Sequence, residues 1–510
     1  MLPCLRFSEL FKGYAMHNSK RTGMQFRFTT TNWITRVVAA TSLFCLATTS
    51  SLRLGAESSN GPATAATIGW PPELPGAMNG TATITSPDFL PNDALKAMEQ
   101  PGAAPFVMAK TPPTVELAYH RDLPDPALNG TGWSAWGDIC VASDGKVYCG
   151  TGDHGRDVQG EGHVFIYCWD PSTKVLRQIA DPNRIADAKP GGPSFSKVHA
   201  RILEGKDRRI YFTCTLNDGG KAGEVKWTKQ IPGGLIYQYD PQTGRTAIVG
   251  HMDGRVTATT LMDQGRDVFY CCLEGKIYGA ASLAAFDLGK REWIYVSPPD
   301  ANVADRNMAI DRKGAIYFNG QQGKLWRYDP RSQEVSSTGA GFPSEKVGDK
   351  ELQPTMRSST VQTKSGWIYG TTMGPGRLFR FHPGKNKIEM LGPDFGIGEY
   401  TTVTELSPDQ RFVYYLPGSH GSAFGIGTPV IQYDIARDRR KVLAFLRGPI
   451  EKQLGYVCGG TYGVKLNAAG STLYVNFNGH ARDDIRPAKM PASGFGLTAF
   501  AAIHIPAGER

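Results

Sequence analysis

One short phrase returns through the chain and limits every fold it could adopt. It reads GGLIYQYDPQTG at 233–244, GKLWRYDPRSQ at 323–333 and GRLFRFHPGKN at 376–386. Each copy has a Gly turn, a β-prone run with aromatics in alternation, then Asp-Pro or His-Pro and a polar turn. That is a strand running into a tight turn, and repetition at this spacing is the signature of a repeat architecture.

Upstream of each phrase lies a second strand, marked by an apolar residue followed by an aromatic. The series is Val147-Tyr148, Ile210-Tyr211, Val268-Phe269, Ile316-Tyr317, Ile368-Tyr369, Val413-Tyr414 and Leu473-Tyr474. Successive aromatics lie 63, 58, 48, 52, 45 and 60 residues apart, so loops vary while the unit persists. Hairpin signals such as Asp144-Gly145 precede the aromatics, because Gly accepts the positive φ of a tight turn. A further strand follows the Asp-Pro turn, as in RTAIVG and KVLAFL. The only helical periodicity is a weak one at NDALKAMEQ, 92–100.

Four antiparallel strands per unit, seven times over, predict an all-β, seven-bladed β-propeller over 113–510. Radial stacking buries both faces of each sheet and leaves only short edges. Across roughly 130–510 the repeat resembles the bacterial NHL, YVTN and WD40-like propeller group, although no Gly-His…Trp-Asp pair recurs. The last unit ends one strand short after LTAFAAIHI. TVELAYH, 114–120, is expected to supply the missing outer strand and close the ring.

The chain carries a net charge of +9, most of it at the front. Residues 1–56 hold seven Lys/Arg and one acid, and the rest is nearly balanced, so the folded part gives no reason to expect nucleic acid. Lys20, Arg21, Arg27 and Arg36 precede the apolar stretch VVAATSLFCLA, 37–47. This pattern predicts an export leader, cleaved near Ala56 or kept as an anchor, with membrane contact only through it. Residues 57–112, rich in Pro, Ala, Gly, Ser and Thr, are expected to form a linker with little core. A monomer in the periplasm, at the cell surface or secreted is the expected state.

Seven of the nine cysteines lie beyond the leader, and no spacing matches a zinc site. A two-residue Asp144-Gly145 turn would place Cys140 opposite Cys149, either as a cross-strand disulfide or as two small core residues.

Two sets of residues project toward one mouth of the channel. Arg201, Arg255, Arg306 and Arg357 recur where inner strands should begin. Their guanidinium groups would form an anion-binding funnel, or else each would pair with a neighbouring blade's Asp or cap carbonyls. His154, His420 and His480 follow the second strands of blades that become neighbours once the ring closes. With Asp153, and with His199 from the second blade, they would hold a divalent metal or supply a general base; otherwise they are three unrelated loop histidines. The arrangement is similar to that of exported propeller enzymes, the oligogalacturonate and streptogramin lyases. That resemblance implies a His-rich metal site at the mouth and lyase or hydrolase chemistry on an anionic small molecule or carbohydrate. The other reading is a non-catalytic platform for a polysaccharide, peptide or protein.

Overall fold

Seven antiparallel sheets follow one another along the chain, each wound from the axis outward, and together they form a seven-bladed β-propeller. The computed structural model describes residues 71, 73–90, 105–124, 132–153, 162–189, 194–215, 234–251, 255–275, 279–297, 307–320, 323–395, 400–420, 422–486 and 495–510. Blade 1 consists of Cys140–Val141, Val147–Gly152, Val164–Asp170 and Val175–Ala180. The inner strands of blades 2 to 6 are Leu203–Glu204, Arg255–Asp263, Met308–Ile310, Thr355–Met356 and Glu405–Leu406. Blade 7 starts with Tyr456–Leu466, continues through Thr472–Ala481 and Leu497–His504, and takes Thr114–Tyr119 as its outer strand.

The repeating aromatic is the wedge between blades. Tyr148, Tyr211, Phe269, Tyr317, Tyr369, Tyr414 and Tyr474 are all buried, at 0–4% exposure. The apolar core divides into seven clusters, each shared by two adjacent blades. One of them joins Phe500 and Tyr474 of blade 7 to Trp169 and Tyr167 of blade 1, which closes the ring. The expected closing strand is therefore present: Thr114 lies opposite His504 and Tyr119 opposite Ala499, antiparallel.

The repeated Asp caps the turn that follows its strand. Asp170 Oδ1 accepts from the Ser172 backbone N–H at 3.0 Å, Asp240 from Gln242 at 2.9 Å, and Asp329 from Arg331 at 2.9 Å. In blade 5, where the phrase reads His-Pro, His382 Nδ1 accepts from Lys385 N at 3.2 Å instead. Imidazole and carboxylate each present one acceptor at the height the turn requires. The backbone donors of Gln242 and Arg331 hold the Asp240 and Asp329 carboxyls below their ordinary pKa.

Three departures from expectation have local causes. Within the segment expected to be a linker, TATIT at Thr81–Thr85 alternates β-branched residues and pairs with Thr114–Tyr119 as a fifth strand of blade 7. Phe106–Met108 adds in parallel to Arg439–Phe445 of blade 6. The side chain of Glu509 ties this arm down, accepting from the Lys110 and Thr111 N–H groups at 2.6 and 3.0 Å and pairing with Lys441 at 2.8 Å. Leu74, Ile84 and Phe89 are core residues, so composition alone misread this stretch.

The Asp144-Gly145 hairpin is one residue longer than expected. Ala142 and Lys146 close a three-residue loop with Gly145 at φ +84°, which sets Cys140 opposite Tyr148 rather than Cys149. Because neighbouring strand positions face opposite ways, Cys140 packs toward blade 2 and Cys149 toward blade 7. Both are free thiols, as are the other five cysteines among the described residues. Finally, a helix, Arg447–Leu454, links blades 6 and 7 without an amphipathic pattern strong enough to announce it. The helical candidate at 92–100 lies outside the described residues.

Candidate functional site

The inner strands line the axis, and their register decides which side chains meet there. Counting ten residues back from the wedge aromatic lands on Asp138, Arg201, Thr259 and Asn307 in blades 1 to 4, and these four share one cavity. The four arginines singled out by their spacing do not share a register. Arg201 stands ten residues before its aromatic, Arg357 twelve and Arg255 fourteen. Blade 3 also shifts register between Val256 and Thr260. Arg201 and Arg357 meet in the cavity; Arg255 lies opposite Glu274 in its strand, its side chain outside the described residues. Arg306 lies outside them altogether. The expected four-Arg funnel is thus, among the described residues, a pair.

Two acids and two bases form a collar around the channel. Lys465 Nζ sits 3.0 Å from both Asp138 Oδ2 and Glu405 Oε2, and Arg201 Nε lies 4.0 Å from Asp138 Oδ2. Arg201 also donates to Asn307 Oδ1 at 2.5 Å. Asp138 Oδ1 accepts from the Val464 N–H at 3.2 Å, stitching blade 1 to blade 7. Burial disfavours the Lys465 ammonium, but Asp138 and Glu405 outweigh it and hold its pKa above the usual lysine range. Burial raises the Glu405 carboxyl, with Lys465 opposing. It lowers the Arg201 guanidinium, against the pull of Asp138.

On the side where the inner strands begin, the collar meets an aromatic cluster. Trp136 lies 4.9 Å from Tyr462, 5.5 Å from His420 and 5.2 Å from Phe495, ring to ring. Tyr462 Oη is 2.7 Å from His420 Nε2, with Tyr400 Oη at 3.4 Å from the same nitrogen. Arg357, 5% exposed, holds its guanidinium over both tyrosines, 5.3 Å from the Tyr400 ring and 5.4 Å from that of Tyr462. Lys197 lies over Trp136 at 4.4 Å. His199 joins the edge of the cluster, 6.4 Å from Trp136. Burial pushes the Tyr462 phenol well above its ordinary pKa. The cavity between cluster and collar holds about 20 Å³, room for one water-sized group.

His420 and His480 have different surroundings. His420 belongs to the cluster just described. His480 packs on Phe424 at 5.4 Å, with Nδ1 3.0 Å from the Ala481 carbonyl. Asp153, fully buried, engages His163 at 2.8 Å, and His154 lies outside the described residues. Among the described residues no three His, Cys, Asp or Glu groups converge as metal ligands. The described donors thus offer no three-ligand set for a divalent ion. Trp136, Tyr400, Tyr462, Asp138, Glu405 and Lys465 escaped the sequence reading. Register counting from the wedge aromatic finds Asp138, whereas the tyrosines read as ordinary blade core.

No family model matches the chain, and no curated protein matches it. Solved propellers are similar to it. The WD40 domain of Neurospora crassa Pan2 is 10% identical at a TM-score of 0.44, covering 79% of this chain and 98% of that one. The WD40 repeats of RRP9 are 10% identical at 0.45, covering 76% and 97%. The extracellular domain of a two-component system from B. thetaiotaomicron is 10% identical at 0.44, covering 72% of this chain and 39% of that one. No helix among the described residues is long and apolar enough to cross a membrane.

Proposed function

We propose that this propeller binds an anionic, carbohydrate-like small molecule at the aromatic mouth of its channel. The observation that carries the reading is Arg357, nearly buried between Tyr400 and Tyr462 and sharing a cavity with Arg201 and His199. A guanidinium desolvated by aromatic faces favours a carboxylate over a neutral group. The cavity has room for about one carboxylate oxygen; the half-buried rings of Tyr400 and Phe495 nearby are left to meet the body of a sugar. The ligand class is therefore an acidic oligosaccharide that presents one terminal carboxylate.

The His420–Tyr462 pair adds the means to move a proton beside that carboxylate. In the catalytic version of this reading, a lyase or hydrolase, His420 is the base and the Tyr462 phenol relays the proton. Export of the protein, supported by the basic and apolar leader of residues 1–56, would bring it to such ligands.

Titration calorimetry of the full chain with oligogalacturonate and with a neutral cello-oligosaccharide tests the binding. The acidic sugar is expected to bind, and Arg357→Leu to weaken it at least about tenfold. Equal binding of the neutral sugar, or an indifferent Arg357→Leu variant, refutes the proposal. Cleavage of the acidic sugar, by elimination to an unsaturated, ultraviolet-absorbing product or by hydrolysis to a new reducing end, that Tyr462→Phe abolishes separates the enzyme from the non-catalytic platform.

A further inference from the structure

The collar has a second side. Beyond it, toward the hairpins that join first and second strands, lies a cavity of about 210 Å³, ten times the volume of the space on the aromatic side. Its walls are apolar, with Ile202, Leu261, Ala309 and Leu406 each no more than 8% exposed. It opens to solvent past Val361, which is 64% exposed. Its floor is the collar itself: Asp138, Arg201, Glu405 and Lys465. An apolar chamber with a few convergent polar groups at its base is the usual form of a small-molecule site.

The floor chemistry narrows the ligand. It carries two positive and two negative groups, so a ligand of one charge sign would leave an opposite pair in surplus. Arg201, Glu405 and Lys465 keep 20%, 21% and 27% of their side-chain surface exposed, so they are open to a ligand. Glu405 has an unevenly used carboxylate: among the described residues Oε2 is paired with Lys465 at 3.0 Å, whereas Oε1 has the Leu466 N–H at 3.5 Å alone. That oxygen suits an incoming ammonium. Arg201, on the same cavity, spends one N–H on the Met308 carbonyl and one on Asn307 Oδ1 among the described residues, and the rest of its five N–H donors suit a carboxylate. We propose that the chamber binds a free α-amino acid with an apolar side chain, its ammonium at Glu405, its carboxylate at Arg201 and its side chain against Leu261 and Ala309. A zwitterion enters without changing the net charge of the floor, which spares it the cost of burying an unpaired ion. The volume suits one amino acid rather than a peptide.

The probe is L-leucine, titrated calorimetrically into the full chain. Two analogues serve as controls: 4-methylpentanoate, which lacks the ammonium, and 3-methylbutylamine, which lacks the carboxylate. Leucine is expected to bind, with each analogue at least about tenfold weaker. Val361→Trp, a substitution at the exposed rim that leaves the core intact, is expected to abolish binding by blocking the entrance. Glu405→Gln is expected to weaken leucine without affecting 4-methylpentanoate. No heat with leucine, an analogue that matches it, or undiminished binding in Val361→Trp overturns the proposal. Arg357 does not line this chamber, so Arg357→Leu is expected to retain leucine binding, which keeps this result separate from that for the acidic sugar.

Discussion

The seams between blades and the wall of the channel are built from the same strands, yet they obey different rules. At a seam, each blade offers an equivalent residue: seven aromatics are buried at the same position of the second strand. At the axis, equivalent positions diverge to Asp138, Arg201, Thr259 and Asn307. A seam residue meets the same environment in every blade, so the physical demand on it repeats. An axial residue faces all the others at once, and seven identical charges there would repel. Stability is thus periodic, and chemistry is not.

The largest expected effect lies where the two regions touch. Asp138→Ala leaves Lys465 and Arg201 short of a buried partner and also frees the Val464 N–H. It is expected to cost about 4 kcal/mol, read by urea denaturation. A loss below about 1 kcal/mol would mean that the collar is solvated and the contrast overstated. Next comes the strand that closes the ring. Leu117 is fully buried on it, in the cluster that blade 7 shares with blade 6, and Leu117→Ala is expected to cost about 3 kcal/mol. A smaller loss would place the closure elsewhere.

His120 sharpens the comparison, since it is a polar group within a seam. It is completely buried, edge-on to Tyr167 at 4.7 Å, with Nε2 3.5 Å from Cys149 Sγ and, among the described residues, no hydrogen-bond partner at Nδ1. Burial lowers its pKa to about 4 from the ordinary 6.5. The unfolded chain therefore takes up a proton that the folded one refuses. This contribution to stability is intact above pH 6.5 and declines as the pH falls toward 4. Between pH 7 and 4.5 the loss is expected to reach about 2 kcal/mol. His120→Phe removes that share of the acid slope, as denaturation at the two pH values would show; an unchanged slope assigns it to other groups. The smallest effect belongs to the turns. Asp329→Ala removes a cap on Arg331 N and is expected to cost about 1 kcal/mol, with His at the same position, as in blade 5, recovering part of it.

The same division explains what could be read before the fold was known. Blade number, strand order and ring closure were legible because Tyr148 and its six counterparts repeat, as does the capping Asp. The arginine series repeated nearly in spacing but not in register, so similar intervals concealed positions ten, twelve and fourteen residues from the wedge. Tyr462 and Trp136 carry no mark that distinguishes an axial aromatic from a buried one. Cys140 and Cys149 turned on one residue of loop length, which local composition does not specify. Thr81–Thr85 was hidden by the Pro- and Ala-rich sequence around it.

The closing seam also has a mechanical consequence. Thr114 sits opposite His504, so the chain leaves both strands at the same end of the ladder. Tension applied there loads the hydrogen bonds one pair at a time, as in a zipper, instead of shearing all six pairs together. The Glu509 clasp on Lys110 and Thr111 lies at that end and takes the force first. Once it lets go, the ladder parts from the rim inward, one pair after another, while the inner strands of the ring stay in place.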